Sequence, residues 1–270
     1  MCGTCGCADQ GYRLDGHLHA AHDHDGHGDH DGHGHDGHGD GLAGGGRTIA
    51  LQEKVLARND ALAARNREWL RRRGVLAVNV MSSPGSGKTT LLERTARDLA
   101  GQLALSVIEG DQETDLDAGR IRAAGCRVVQ INTGTGCHLD AAMVAGALRA
   151  LDPPPGSVVV IENVGNLVCP ALFDLGEAAR VVVASVPEGA DKPAKYPAMF
   201  RRADLVLITK TDLLPYLDFD TGECEKGIRQ ASSGARILQV SARTGDGMTT
   251  WYDWLREQTG LPRQASAPHY

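Results

Sequence analysis

The chain has 270 residues, 28 basic against 34 acidic side chains, and only 4% aromatic residues, enough for one large domain with an appendage. Residues 1–46 hold eight Asp, no Glu, one Arg and no Lys, a net of −7, and leave the remainder at +1, so no electrostatic case for nucleic-acid binding exists. No apolar run approaches the roughly 18–20 residues that span a bilayer, and MCGTCGCADQ lacks the hydrophobic centre of a secretion signal. A cytoplasmic protein with no membrane partner is expected, its seven Cys acting as thiols and metal ligands rather than disulfides.

In chain order the first feature is MCGTCGC, which puts Cys2, Cys5 and Cys7 in one loop. Three thiolates this close can wrap one soft or borderline ion. Removal of Met1 would add an α-amine beside Cys2, a set suited to square-planar Ni(II). Next come His17, His19, His22, His24, His27, His30, His33, His35 and His38, nine of the eleven histidines, interleaved with Asp and Gly rather than run together as in a purification tag. Imidazole binds nickel, zinc and copper, and Gly lets the backbone close around an ion. Poor in aliphatic residues, residues 1–46 cannot offset their chain entropy by burial and are expected to form a disordered metal-storing tail.

From Arg47 the pattern changes. TIALQEKVLARNDALAARNREWLRRRG has helical apolar spacing, and VLAVNVMS then reads as a buried strand. Further strands are expected at LALSVIEG, CRVVQIN, SVVVIEN, RVVVASV, DLVLITK and RILQVSA, with helices such as TTLLERTARDLAGQ and CHLDAAMVAGALRAL between most of them. Strands apolar on both faces and separated by helices imply an α/β fold with a mostly parallel sheet covered on both sides. This domain is expected over residues 47–262, with a short tail at 263–270. Ligands in such folds sit beyond the C-terminal strand ends.

The first strand is followed by SSPGSGKTT, a P-loop in which Ser82 stands where the first Gly normally sits. Gly85, Ser86 and Gly87 would turn backbone amides toward phosphates, Lys88 would reach the β- and γ-phosphates, and Thr89 and Thr90 would open the next helix, with the Thr89 hydroxyl on Mg²⁺. Glu162, at another strand end, can hold Mg²⁺ or its water, and Gly165 of the ExxG that follows can meet the γ-phosphate. Asp111 is the candidate to position the attacking water or a Mg²⁺ water. Thr209, Lys210 and Asp212 resemble the NKxD element of GTP-binding proteins, Asp212 accepting from the guanine edge and the Lys210 stem packing on the ring. Ser241 and Ala242 resemble the SAK element, with Arg243 for Lys. GTP is therefore favoured over ATP. Finally, Cys137, His138 and Cys169 make three soft ligands near this site, whereas Cys126 and Cys224 read as structural.

On CGTCGC, the His-rich tail, SSPGSGKTTLL, IEGDQ, INTGTGCHLDA, IENVGNLVCPA, FDLGE, EGADKPAKYP, TKTDLLPY and SARTGDG, the chain resembles the hydrogenase nickel-incorporation GTPases, the HypB family of nickel chaperones. Ser82 and Thr209 look usual for that family. The resemblance implies a P-loop GTPase that dimerises face to face around GTP and couples Mg²⁺-dependent hydrolysis to delivery of Ni²⁺ into the large-subunit precursor of a [NiFe]-hydrogenase. A HypA-type zinc and nickel protein is the implied partner. Cys2, Cys5 and Cys7 would carry the tight nickel site, and Cys137, His138 and Cys169 a nucleotide-linked site that also takes Zn²⁺. Two other readings stand beside it: a nickel/zinc storage protein whose nucleotide site is vestigial or regulatory, and a GTPase chaperone for another cofactor, such as urease nickel or cobalamin.

Overall fold

The computed structural model describes residues 12–15, 17–19, 43–112 and 116–260. Cys2, Cys5, Cys7, the histidines from His22 to His38 and the tail at 263–270 lie outside the described residues. The chain order is β1 (Tyr12–Leu14), β2 (His17–His19), α1 (Ala43–Arg72), β3 (Leu76–Ser82), α2 (Lys88–Asp98), β4 (Leu105–Asp111), α3 (Leu116–Ala123), β5 (Arg127–Asn132) and α4 (Ala141–Leu151). It continues with β6 (Val158–Glu162), β7 (Ala179–Ser185), α5 (Lys192–Lys195), α6 (Pro197–Phe200), β8 (Leu205–Thr209), α7 (Thr221–Ala231), β9 (Arg236–Gln239) and α8 (Met248–Thr259).

One nine-stranded sheet runs β2-β1-β5-β4-β6-β3-β7-β8-β9. All pairings from β5 to β9 are parallel. The central strands β6, β7 and β8 are buried at every position, the reason they read as continuous apolar runs. Alternate side chains serve opposite faces. Val78, Val80, Val107, Val160 and Val181 meet α2, α3 and α8 on one face. On the other, Ala77, Ile108, Val159 and Ile161 meet α1 and α4, and Met81, Val182 and Val206 meet α6 and α7.

The long helix α1 has a positioning task. Asn66 donates from Nδ2 to Ala141 O at 2.8 Å and Leu175 O at 3.0 Å, and Asn59 donates to Asp174 O while accepting from Ala141 N. The start of α4 and the loop before β7 are thereby pinned to the same helix. Gly176, at φ 92°, presses so closely on α1 that a Cβ would sit 2.6 Å from Ala63 O.

Described structure reaches into the expected tail at two places. Helix α1 starts at Ala43, not after residue 46. The strands β1 and β2, inside the expected tail, form an antiparallel hairpin that pairs with the edge of β5, Arg13 opposite Asn132 and Leu14 opposite Ile131. The cause is one apolar side chain and one acid. Leu14 is buried in the cluster beneath α4, and Asp15 accepts from the Gln130 amide at 3.1 Å while its own amide donates to Gln130 O. His17 and His19 stand in β2. Because β1 is antiparallel to β5, Tyr12 lies at the end of β5 from which the loop to Cys137 departs.

Candidate functional site

The strand β3 ends at Ser82, and the chain turns through residues 83–87 into α2. Gly85 and Gly87 have φ of 74° and 94°, the left-handed region in which side chains are strained. Ser82 does not share it, which explains why a Ser is accommodated there. Its Oγ accepts from Lys88 Nζ at 2.7 Å and from Ser86 Oγ at 2.6 Å. Ser83 Oγ donates to Glu188, which also caps the turn after β7. Burial lowers the pKa of Lys88, with the acids Glu162, Asp117, Glu109 and Glu188 opposing that shift. A buried lysine on a ring of backbone amides is an anion cradle.

Beside it lies a pocket of hard oxygen donors. The Thr89 hydroxyl is 2.7 Å from Glu162 Oε1 and 2.9 Å from Asp117 Oδ2. Glu109 stands in register with Glu162 on the neighbouring strand, and both are buried. Glu109 Oε2 and Glu162 Oε2 have no hydrogen-bond partner. Burial, aggravated by the neighbouring acids, pushes the Glu109 pKa up to about 9, and burial also raises that of Glu162. Buried carboxylate oxygens without partners beside a hydroxyl fit a hard divalent cation. Asp111, at the end of β4, accepts from the Gln112 amide at 2.7 Å. The acid that joins Glu162 at Thr89 is instead Asp117 on α3, which motif spacing does not single out.

This pocket has a pH consequence. Glu109 holds its proton in the folded protein up to about pH 9, but an unfolded Glu loses it near pH 4.3. The folded state therefore binds more protons between those values, so stability is greatest below the lower one and falls as pH rises toward the upper. The melting temperature of nucleotide-free protein should fall over that range, and Glu109→Gln should flatten the decline. An unaltered profile in that variant would remove Glu109 as the cause.

The third part closes over the P-loop from β8 and β9. Thr209 Oγ1 donates to Ser86 O at 2.8 Å, a bond that gives the Thr in place of the usual Asn a use. Lys210, at φ 59°, donates from Nζ to Gly85 O at 2.6 Å, so the lysine expected to lie along the base is tied to the P-loop here. Asp212 Oδ1 accepts from Ser241 Oγ at 2.7 Å. Arg94 of α2 donates to Ala242 O at 3.2 Å, bracing the second loop against the P-loop helix.

The fourth part is a soft-ligand cluster. Cys137 Sγ, a ring nitrogen of His138 and Cys169 Sγ lie within 4.8 Å of one another, the one such group among the described residues. Cys137 Sγ is 2.9 Å from Cys169 Sγ and 3.6 Å from His138 Nδ1. His138 is buried, which lowers its pKa, and it stacks on Phe173 with ring centroids 3.9 Å apart. A neutral imidazole offers its lone pair to a metal. The helix expected to open at Cys137 begins at Ala141, capped by Asp140, so the pair sits in the preceding loop. Cys126 and Cys224 are buried elsewhere, their thiols pushed up to about 11.

One segment joins these parts. Glu162 reaches Thr89; Gly165 lies so close to the P-loop that a Cβ would sit 3.0 Å from Pro84 Cα; and Cys169 completes the soft cluster. Asn163, which sequence reasoning passed over, is buried within it. Its Oδ1 accepts from the amides of Leu139 at 3.2 Å and Val164 at 3.0 Å, and its Nδ2 donates to Asn79 Oδ1 at 3.3 Å.

A family model for the CobW/HypB/UreG nucleotide-binding domain matches residues 76–239. The chain is 58% identical over 209 residues to the hydrogenase maturation factor HypB of Rhizobium leguminosarum bv. viciae, covering 77% of this chain and 70% of the relative. It is 50% identical over 212 residues to that of Escherichia coli (strain K12), covering 78% and 73%. Among solved structures, HypB from Archaeoglobus fulgidus aligns with a TM-score of 0.71 at 40% identity, over 76% of this chain and all of that one. HypB from Helicobacter pylori in complex with nickel aligns with a TM-score of 0.71 at 38% identity, over 78% of this chain and all of that one. The chain thus belongs to the CobW/HypB/UreG nucleotide-binding family and, within it, to the hydrogenase maturation factors of the HypB type.

Proposed function

We propose that the protein is a GTP-hydrolysing nickel chaperone that binds, stores and delivers Ni²⁺ for maturation of a [NiFe]-hydrogenase. One observation carries this reading: a single segment, Glu162 to Cys169, touches the Thr89 end of the P-loop and supplies a ligand to the soft-metal cluster. The names of the relatives support the destination, and the nickel complex of the Helicobacter pylori relative supports the cargo.

In this reading the amides of Gly85, Ser86, Gly87, Lys88, Thr89 and Thr90 wrap the phosphates, and Lys88 Nζ leaves Ser82 Oγ for the β- and γ-phosphate oxygens. Thr89 and Glu162 would hold Mg²⁺, with Asp117 and Glu109 beside them; when bound, the ion neutralises phosphate charge. Asp111 orients the attacking water, and the Gly165 amide meets the γ-phosphate. Asp212 accepts from the guanine edge while Ser241 holds its other oxygen, and the Ala242 amide meets the guanine carbonyl.

The soft cluster suits nickel or zinc. Cys2, Cys5 and Cys7 carry the tight nickel site. The histidines from His17 to His38 store further ions. The protein works in the cytoplasm as a GTP- or metal-dependent homodimer, with a HypA-type maturation protein and the hydrogenase large-subunit precursor as partners. No helix among the described residues is long and apolar enough to cross a membrane.

The test is titration of nickel and of zinc into full-length protein with Cys2, Cys5 and Cys7 changed to Ala, once with GDP and once with a non-hydrolysable GTP analogue. Affinity at the Cys137–His138–Cys169 site should differ between the two nucleotides by roughly 5–150-fold, the usual range of such coupling. Identical isotherms would leave a structural metal clip and remove the delivery mechanism.

A further inference from the structure

The segment from Glu162 to Cys169 explains how Cys169 can respond to nucleotide, but two of the three ligands lie on another loop. Cys137 and His138 follow β5, two strands away from β6 in the sheet. If only Cys169 moved, the cluster would open on one side while the other ligands stayed put. The structure contains a second link. Asn163 is the residue after Glu162, and its Oδ1 accepts from the amide of Leu139, the residue after His138. The same oxygen accepts from Val164 N, at the root of the ExxG turn.

Asn163 is 1% exposed. Its Nδ2 is held by Asn79, fully buried on β3, whose own Nδ2 faces Glu177 Oε1 at 3.4 Å. Glu177 is paired with Arg180 at 2.6 Å and accepts from the Leu175 amide. Arg180 also donates to the carbonyl of Phe173, the ring stacked on His138. A continuous buried polar chain thus runs from the residue beside Glu162 to both neighbours of the imidazole, Leu139 along the chain and Phe173 across its face. Buried polar groups are costly unless every member is satisfied, and a satisfied network holds one arrangement. A shift of Asn163 must either carry Leu139 with it or leave a buried amide unpaired.

We propose that Asn163 is a positioning residue that passes the state of the nucleotide pocket to Cys137 and His138, so that all three ligands respond together. Its side chain touches neither nucleotide nor metal; it acts through the Leu139 amide. The inference rests on the reading of the cluster as a nucleotide-linked metal site, and its test separates the two.

The test uses full-length protein with Cys2, Cys5 and Cys7 replaced by Ala, and Co²⁺ as probe, whose thiolate charge-transfer absorption then reports Cys137 and Cys169. Affinity is measured with GDP and with a non-hydrolysable GTP analogue, in the parent, in Asn163→Ala and in Asn79→Ala. The parent should show a nucleotide-dependent difference of several-fold. Asn163→Ala should bring it within about twofold, with nucleotide affinities and metal stoichiometry retained. Asn79→Ala removes the brace but leaves the Leu139 contact, and should keep most of the difference. A general loosening would instead weaken metal binding equally with both nucleotides and leave the ratio unchanged, which overturns the proposal. So would full coupling in Asn163→Ala. Absence of any difference in the parent would refute the underlying reading instead. Should Asn163→Ala fail to fold, Asn163→Ser, which keeps an acceptor near the Leu139 amide, should fold with reduced coupling; full coupling there would also overturn the assignment.

Discussion

Lys88→Ala should abolish GTP hydrolysis while leaving nickel bound at the N-terminal cysteines. Lys88 is buried among the acids Glu162, Asp117, Glu109 and Glu188, which oppose the lowering of its pKa by burial. Its ammonium donates to the Ser82 hydroxyl at 2.7 Å. A γ-phosphoryl group in transfer carries charge on its equatorial oxygens, and preorganised positive groups there cost no reorganisation when the charge develops. Loss of one such group costs on the order of 10²–10³-fold in turnover. Phosphate release under single-turnover conditions measures the effect. Equilibrium dialysis with nickel supplies the control, because the cysteine motif is remote in sequence from the P-loop. Turnover at the original rate would refute the assigned role of Lys88.

The second large effect is expected at the base. Asp212→Asn should weaken GTP and GDP binding by roughly 2–4 kcal/mol, because an acceptor facing two donors becomes a donor–donor mismatch. The geometry sharpens the expectation. Ser241 Oγ donates to Asp212 Oδ1, and Arg243 lies 3.8 Å from Oδ2, so the carboxylate is oriented before any base arrives. An amide in its place can keep the Ser241 bond through its oxygen and must then present its NH₂ to guanine. Xanthine carries a carbonyl at that edge, so xanthosine diphosphate should bind the variant better than GDP. Competition against a fluorescent nucleotide reads both affinities. Equal affinity of the unmutated protein for GTP and ATP would sink the guanine assignment.

What the sequence by itself determined was local. The central strands β3, β6, β7 and β8 were legible because burial on both faces demands continuous apolar runs. The P-loop was legible because Gly85 and Gly87 satisfy a backbone requirement within a few residues. The ligand candidates Cys137, His138 and Cys169 were legible as residue types, and strand-end logic placed them at one end of the sheet.

Tertiary structure decided the rest. Asp117 reaches Thr89 from a helix with no motif of its own, 28 residues away. Asn163 looks like any polar residue after a strand until its oxygen meets the Leu139 amide. Phe173 stacks on His138 because α1 pins its loop through Asn59 and Asn66. The β1–β2 hairpin was hidden because strands of three residues give no periodicity against a background of Gly, Asp and His. It forms because the exposed edge of β5 supplies backbone partners and a place to bury Leu14. The physical division is one of range: hydrophobic period and turn chemistry act between neighbours in sequence, whereas the side-chain bonds that assemble this site exist only once the sheet has brought its strand ends together.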